Sequence, residues 1–336
     1  MKMHKIIFFS SMMMGTMIAV SSYSWLSMWM GLEINLLSII PLFSNSKNMF
    51  SSESSLKYFI TQALASLVLL TAVILMLLTS EFINPLMNFY FSMMLNSALL
   101  TKLGAAPFHF WFPEVIEGLN WANSLILLTW QKIAPMMLLM NNKINPQFLT
   151  VIIISSLIIS TISGFNQISL RKILAFSSIN HIAWMLSTLM ISFSMWLIYF
   201  TIYSIINLNV IAMFSSTKSF YINQISNIMN KNKMTKLSFM INFMSLGGLP
   251  PFIGFLPKWL VINWLSNNQL MLITFIMIVT TLIMLFIYIR IMMSSMVLSS
   301  SELKNNKIEM KSTVLTLINM CTIPTMILCT MVLNFL

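Results

Sequence analysis

Charge is scarce in this sequence. Of 336 residues only 7% are Asp, Glu, Lys or Arg, aspartate is missing, and there are two cysteines. Soluble domains carry about 25% charged residues, and no polar block here is long enough to form one, so a soluble multidomain protein is excluded. Cys321 and Cys329 fall on one expected helix, separated by about 12 Å of helical rise, which is too far for a disulfide. No C-x-x-C, G-x-G-x-x-G or Walker loop occurs, so the sequence displays no redox centre or nucleotide site of its own.

What fills the chain instead is hydrocarbon: 58% of residues are hydrophobic and the mean hydropathy is +0.88. Apolar runs of about 20 residues, each able to cross about 30 Å of bilayer as a helix, recur throughout. The pattern predicts an all-α polytopic membrane bundle, a single transmembrane domain over 1–336. About eleven spans are expected, near 6–22, 25–43, 56–78, 86–103, 121–140, 147–163, 170–190, 195–216, 237–266, 270–291 and 313–334. The N-terminal MKMHKIIFFSSMMMGTMIAVSS lacks a clear cleavage site and precedes many further spans, so it is expected to be the first of them rather than a secretory signal. The net charge of +11 does not indicate nucleic acid, because the bases sit in short loops and not on one polar face.

Counting 237–266 as one interrupted span sorts those bases by side. Lys2, Lys5, Lys47, Lys57, Arg171, Lys172, Lys218, Lys231, Lys233, Lys236, Arg290, Lys304, Lys307 and Lys311 fall on one side and Lys143 on the other. The positive-inside rule then puts the N-terminus on the matrix or cytoplasmic side and the C-terminus opposite. Left within spans are Lys102, Lys132 and Lys258, with one acid, Glu33. A charge at mid-bilayer costs about 2.5–3.5 kcal/mol on insertion scales, so four together call for an explanation. The bland alternatives are that Lys102 or Lys258 reaches the interface along its stem and that Glu33 merely pairs with a lysine. For Lys132, deep in its span, snorkelling is awkward.

Two spans are broken. LGAAPFHFWFP follows Lys102 and LGGLPPFIGFLP precedes Lys258. Irregular backbone at membrane depth is tolerated only where it is buried in protein or lines a wet cavity. The two stretches resemble each other and lie on the fourth and ninth spans, so they cross in opposite directions. That predicts inverted repeats, one half near 6–140 and the other near 147–291, with 313–334 appended. His109 lies in the first break and His181 in the seventh span; each suits either a buried hydrogen-bonding role or reversible protonation. The many Met, Ile, Asn and Ser residues have the bias of an AT-rich mitochondrial gene.

The motifs KLGAAPFHFWFPEVIEG (102–118), TWQKIAP (129–135), LRKILAFSSINHIAWML (170–186), MSLGGLPPFIGFLPKWL (244–260) and WMGLEINLLSIIPL (29–42) resemble the chain 2 family of mitochondrial NADH:ubiquinone oxidoreductase, respiratory complex I. The resemblance spans the chain and is to the short animal form of these antiporter-like membrane subunits. It departs at Phe176 and Ala183, where the family pattern has tyrosine and glycine, and in 217–236, which has no match. It implies an antiporter-like fold and a proton-translocating subunit of the membrane arm, part of a translocase. NADH, FMN, iron–sulfur clusters and ubiquinone would belong to other subunits, with no cofactor or metal in this chain. The implied partners are the other membrane-arm subunits and phospholipids of the mitochondrial inner membrane, not nucleic acid.

The same resemblance implies that Glu33 is the glutamate paired with Lys102, that Lys132 is the central-axis lysine, that Lys258 belongs to the second broken helix, and that His109 and His181 are relay positions. An opposite charge within about 4–6 Å favours the charged form of a group, so withdrawing Glu33 is expected to release the Lys102 proton. Protons would then pass by way of Lys102, Lys132 and Lys258, each one moved outward against about 2.3 kcal/mol per 100 mV. The alternatives are a structural assembly subunit of the same complex and a stand-alone cation/proton antiporter.

Overall fold

A polypeptide surrounded by hydrocarbon must satisfy its backbone groups within itself, and a sequence this apolar does so by coiling into helices. The computed structural model describes residues 3–45, 48–80, 85–142, 145–229, 233–250 and 252–297. Among them the chain forms α-helices α1 (Met3–Ser21), α2 (Trp25–Phe43), α3 (Met49–Ser80), α4 (Pro85–Leu103), α5 (Trp111–Gly118), α6 (Trp121–Leu128), α7 (Trp130–Asn141), α8 (Pro146–Phe165), α9 (Leu170–Leu189), α10 (Phe193–Thr217), α11 (Ile222–Met229), α12 (Lys233–Gly247), α13 (Phe255–Asn267) and α14 (Met271–Val297). No strand occurs among the described residues; Ser169 and Tyr221 form an isolated antiparallel bridge. Helices α1, α2, α3, α8, α10 and α14 are each long and apolar enough to cross a membrane.

The expected spans from 6–22 to 270–291 coincide with helices, with two differences. The stretch 121–140 is divided at Thr129 into α6 and α7, and short helices α5 and α11 form where loop was expected. The expected span 313–334, together with Lys304, Lys307, Lys311, Cys321 and Cys329, lies outside the described residues. Hydroxyls start some of the helices: the Ser24 side chain accepts from the Ser27 N–H ahead of α2 and Ser192 from the Met195 N–H ahead of α10, satisfying amides that the first turn leaves open.

The chain divides into two compact units, Met1–Ile152 and Ile153–Leu336. In the first, α1 packs on α2, α2 and α4 on α3, α3 on α5, and α7 on α4 and α1. The α1–α2 crossing uses small residues: a side chain on Gly31 would come within 2.5 Å of the Ala19 backbone nitrogen, the close backbone approach that membrane helices favour. In the second unit α9 is central, in contact with α10, α13 and α14, while α12 lies against α10 and α14. Every side chain of α9 from Ile173 to Thr188 is buried, as befits a helix covered all round. That burial includes His181, Asn180 and four hydroxyl residues, so this core is partly polar.

Candidate functional site

Three interruptions in the helices place the buried lysines. Helix α4 stops at Leu103 because Gly104 turns left-handed, with φ 76°. Its N–H and that of Ala105 both bond the Leu100 carbonyl, at 3.0 and 3.2 Å, a glycine-terminated helix end. Helix α12 stops in the same way: Gly248 has φ 75°, and the N–H groups of Gly248 and Leu249 bond the Met244 carbonyl at 3.0 and 3.3 Å. Each break continues with a matching turn, Phe108 N–H to Ala105 O and Phe252 N–H to Leu249 O, both 2.9 Å. The third interruption is at Thr129. Its N–H and its hydroxyl both bond the Leu125 carbonyl, at 3.0 and 2.7 Å, and the chain re-enters the helix with Lys132 N–H on Thr129 O at 3.2 Å. One turn further, Pro135 brings no N–H to α7, so the helical bond to the Gln131 carbonyl is missing.

Lys102, Lys132 and Lys258 are respectively 8%, 1% and 6% exposed. A snorkelling lysine keeps its ammonium in water, and these three do not. Lys102, in the last turn of α4, lines a small cavity with Asn35, Tyr58, Gln62, Gln131, Leu32, Leu36 and Pro135. The cavity has room for about one water molecule. Gln62 donates to the Lys102 carbonyl at 3.5 Å. Lys132 points its Nζ at the Phe112 ring, 6.0 Å from the centroid, close enough for the ring quadrupole to attract the ammonium.

Lys258 is held differently. Its Nζ donates to the Gly247 and Leu246 carbonyls at 2.9 and 3.3 Å, covering oxygens left open at the end of α12. A helix C-terminus favours a cation. The Trp184 ring of α9 lies 5.8 Å from the same Nζ.

Glu33 is not hydrogen-bonded to Lys102. Its Oε1 is buried without a hydrogen-bond partner. The resemblance implied that Glu33 pairs with Lys102; among the described residues no hydrogen bond or ion pair joins the two.

His109 is buried in the first break, where Nδ1 donates to the Pro107 carbonyl at 3.3 Å and the ring lies 4.4 Å from Phe110. His181 is buried on α9, its Nδ1 2.9 Å from the Tyr199 hydroxyl and its ring 5.0 Å from the Tyr203 ring. His181 and Trp184 lie three residues apart on α9, hence on one face. The first unit therefore gathers Glu33, Lys102 and Lys132 around α2, α4 and α7, and the second gathers His181 and Lys258 around α9.

Charge counting overlooked the neutral polar residues among these groups. Asn35 and Gln131 exchange amide hydrogen bonds of 3.1 and 3.0 Å, and Tyr58 donates to Gln131 Oε1 at 3.3 Å. Tyr58 and Gln62, four apart on α3, are polar groups on one face of an apolar span, a signal available in the sequence. Among the described residues no group of three or more His, Cys, Asp or Glu could hold a metal ion.

The family model described as NADH:quinone oxidoreductase/Mrp antiporter, transmembrane, matches residues 22–284. The chain is 48% identical over 332 residues to NADH-ubiquinone oxidoreductase chain 2 of Anopheles gambiae, covering 97% of each. It is 41% identical over 295 residues to the protein of that name from Oryctolagus cuniculus, covering 86% of this chain and 85% of the relative. In structure it is similar to a chain of respiratory complex I from Thermus thermophilus with bound aureothin, with TM-score 0.87 at 21% identity, over 98% of this chain and 78% of that one. Buried lysines at interrupted membrane helices thus occur on an antiporter-like scaffold, and the chain belongs to the NADH:quinone oxidoreductase/Mrp antiporter transmembrane family.

Proposed function

We propose that this chain is a proton-translocating core subunit of the membrane arm of mitochondrial NADH:ubiquinone oxidoreductase, coupling electron transfer to ubiquinone elsewhere in the complex to proton pumping. The observation that carries the reading is the burial of Lys102, Lys132 and Lys258, each at an interruption of a helix. Burying an ammonium this deeply costs several kcal/mol. The cost falls if the group can give up its proton, which is what a pumping group must do.

In this reading Glu33 is the switch on Lys102, Lys132 the central carrier and Lys258 the carrier of the second unit, with His109 and His181 as relays. Withdrawal of Glu33 releases a proton from Lys102, and the lysines pass charge onward in turn. The common hydrogen-bond pattern at Gly104 and Gly248 supports a description of 6–140 and 147–291 as inverted repeats. The charge asymmetry of the loops supports an N-terminus on the matrix side and a C-terminus on the intermembrane side. The wide apolar exterior, including Leu64, Leu67, Ile162, Leu272 and Phe275, supports contacts with phospholipid and with other membrane-arm subunits. NADH, FMN, iron–sulfur clusters and ubiquinone are assigned to those other subunits.

The test is Lys102→Met in the assembled complex. Proton pumping and ubiquinone-linked turnover should fall together while NADH oxidation by the hydrophilic arm with an artificial acceptor persists. Full pumping stoichiometry in that variant would falsify the mechanism.

A further inference from the structure

Lys102 opens onto a cavity that Gln131 also lines, and Gln131 immediately precedes Lys132 on α7. Its amide is fully engaged on the acceptor side. Gln131 Oε1 accepts from Asn35 Nδ2 at 3.1 Å and from Tyr58 Oη at 3.3 Å, while Gln131 Nε2 donates back to Asn35 Oδ1 at 3.0 Å. An amide oxygen has two lone pairs, and both are taken. Asn35 is buried, and the pair ties α2 to α7.

This arrangement has a consequence for proton movement. Hopping along a hydrogen-bonded chain requires each member to take up a proton on one side and release one on the other. An ammonium, a water molecule and an amine can do so; a primary amide neither gains nor loses a proton near neutral pH. With its oxygen filled, Gln131 can offer the cavity only N–H, so a water there must turn its oxygen to Gln131 and its hydrogens elsewhere.

Resting on the proton-pump reading, we propose that Asn35 and Gln131 are positioning residues forming a latch, which interrupts proton hopping from the Lys102 cavity to Lys132 until the two amides part. When they part, an N–H bond of Lys102 breaks. Cavity water takes up that proton and releases another, and an N–H bond forms on Lys132. Lys102 is left neutral and Lys132 charged. Asn35 lies two residues after Glu33 on α2, so a movement of α2 that withdraws the carboxylate also pulls on the latch. The release of the proton and the opening of its path are then one event.

The test measures protons pumped per NADH oxidised, per assembled complex, in sealed membranes, with Lys132→Met as reference. Gln131→Met and Asn35→Leu should each lose about the same fraction of the ratio as Lys132→Met, because protons slip without waiting for the redox step. The Asn35→Leu, Gln131→Met double variant should lose no more than either alone, since residues acting as one unit are not additive. The exchanged pair, Asn35→Gln with Gln131→Asn, keeps two amides face to face and should recover most of the ratio. A full ratio in Gln131→Met beside a lowered one in Lys132→Met rejects the latch and leaves the lysine route standing. So does a variant that lowers only the amount of complex. A full ratio in Lys132→Met rejects the route and the latch with it.

Discussion

Lys258 occupies the space that a side chain on Gly248 would need. A Cβ built there would lie 2.8 Å from Lys258 Cδ and 2.9 Å from its Nζ, and Gly248 has φ 75°. The residue that ends α12 thus also makes room for the ammonium capping it. Two requirements, a left-handed turn and an absent side chain, meet at one glycine.

Gly248→Ala should therefore displace the Lys258 ammonium from the Leu246 and Gly247 carbonyls and add about 1–2 kcal/mol of left-handed strain. The expected outcome is a lower ratio of protons pumped to NADH oxidised. Gly247→Ala serves as control, since its added carbon would meet Leu285 at an ordinary 3.4 Å; it should behave nearly as the unaltered chain. Equal effects of the two substitutions would count against the packing argument.

In the proposed mechanism Glu33 works on Lys102 by its charge and not by a hydrogen bond, its Oε1 being buried and unpartnered. Glu33→Gln keeps the shape and removes the field, so pumping and ubiquinone-linked turnover should both fall. The Glu33→Gln, Lys102→Met double variant should be no worse than Lys102→Met alone, since the glutamate works only through the lysine. Additive losses in steady-state pumping assays would show that Glu33 serves some other group.

The Tyr199 hydroxyl, 2.9 Å from His181 Nδ1, fixes the imidazole in the core of the second unit. Tyr199→Phe leaves a buried ring nitrogen without that partner, a loss of about 1–3 kcal/mol. Thermal unfolding of the purified complex should show the destabilisation, and proton pumping should decline with it. An unchanged melting profile would mean that the ring is held by its other neighbours.

The Lys57 ion pairs with Glu53 and Glu114, 3.0 Å each, are largely exposed. Solvent screening leaves exposed pairs of this kind with little effect on stability. Glu114→Gln should leave assembly, measured as the amount of intact complex, close to normal. A severe loss would give the α3–α5 contact a role beyond its surface charge.

The sequence exposes some of these features and conceals others for physical reasons. The breaks at Gly104 and Gly248 are legible because Gly and Pro interrupt runs that are otherwise uniformly apolar. Lys102, Lys132, Lys258 and Glu33 are legible because a charge inside a span is costly. The interruption at Thr129 is not, since threonine is ordinary in a membrane helix and Pro135 follows only after a further turn. The Asn35–Gln131 exchange is likewise hidden. Each amide alone is an unremarkable polar residue, and only the approach of α2 to α7 makes them a pair. His181 stands out in the sequence, but its partner Tyr199 does not, because tyrosines are common in apolar spans.

Everything turns on whether Lys132 carries a proton. The decisive measurement is the number of protons pumped per NADH oxidised by assembled complex bearing Lys132→Met in sealed membranes. A carrier role predicts a lowered ratio in complex that has assembled and still oxidises NADH. An undiminished ratio, with or without a loss of assembled complex, would make Lys132 a structural residue and contradict the proposed proton route.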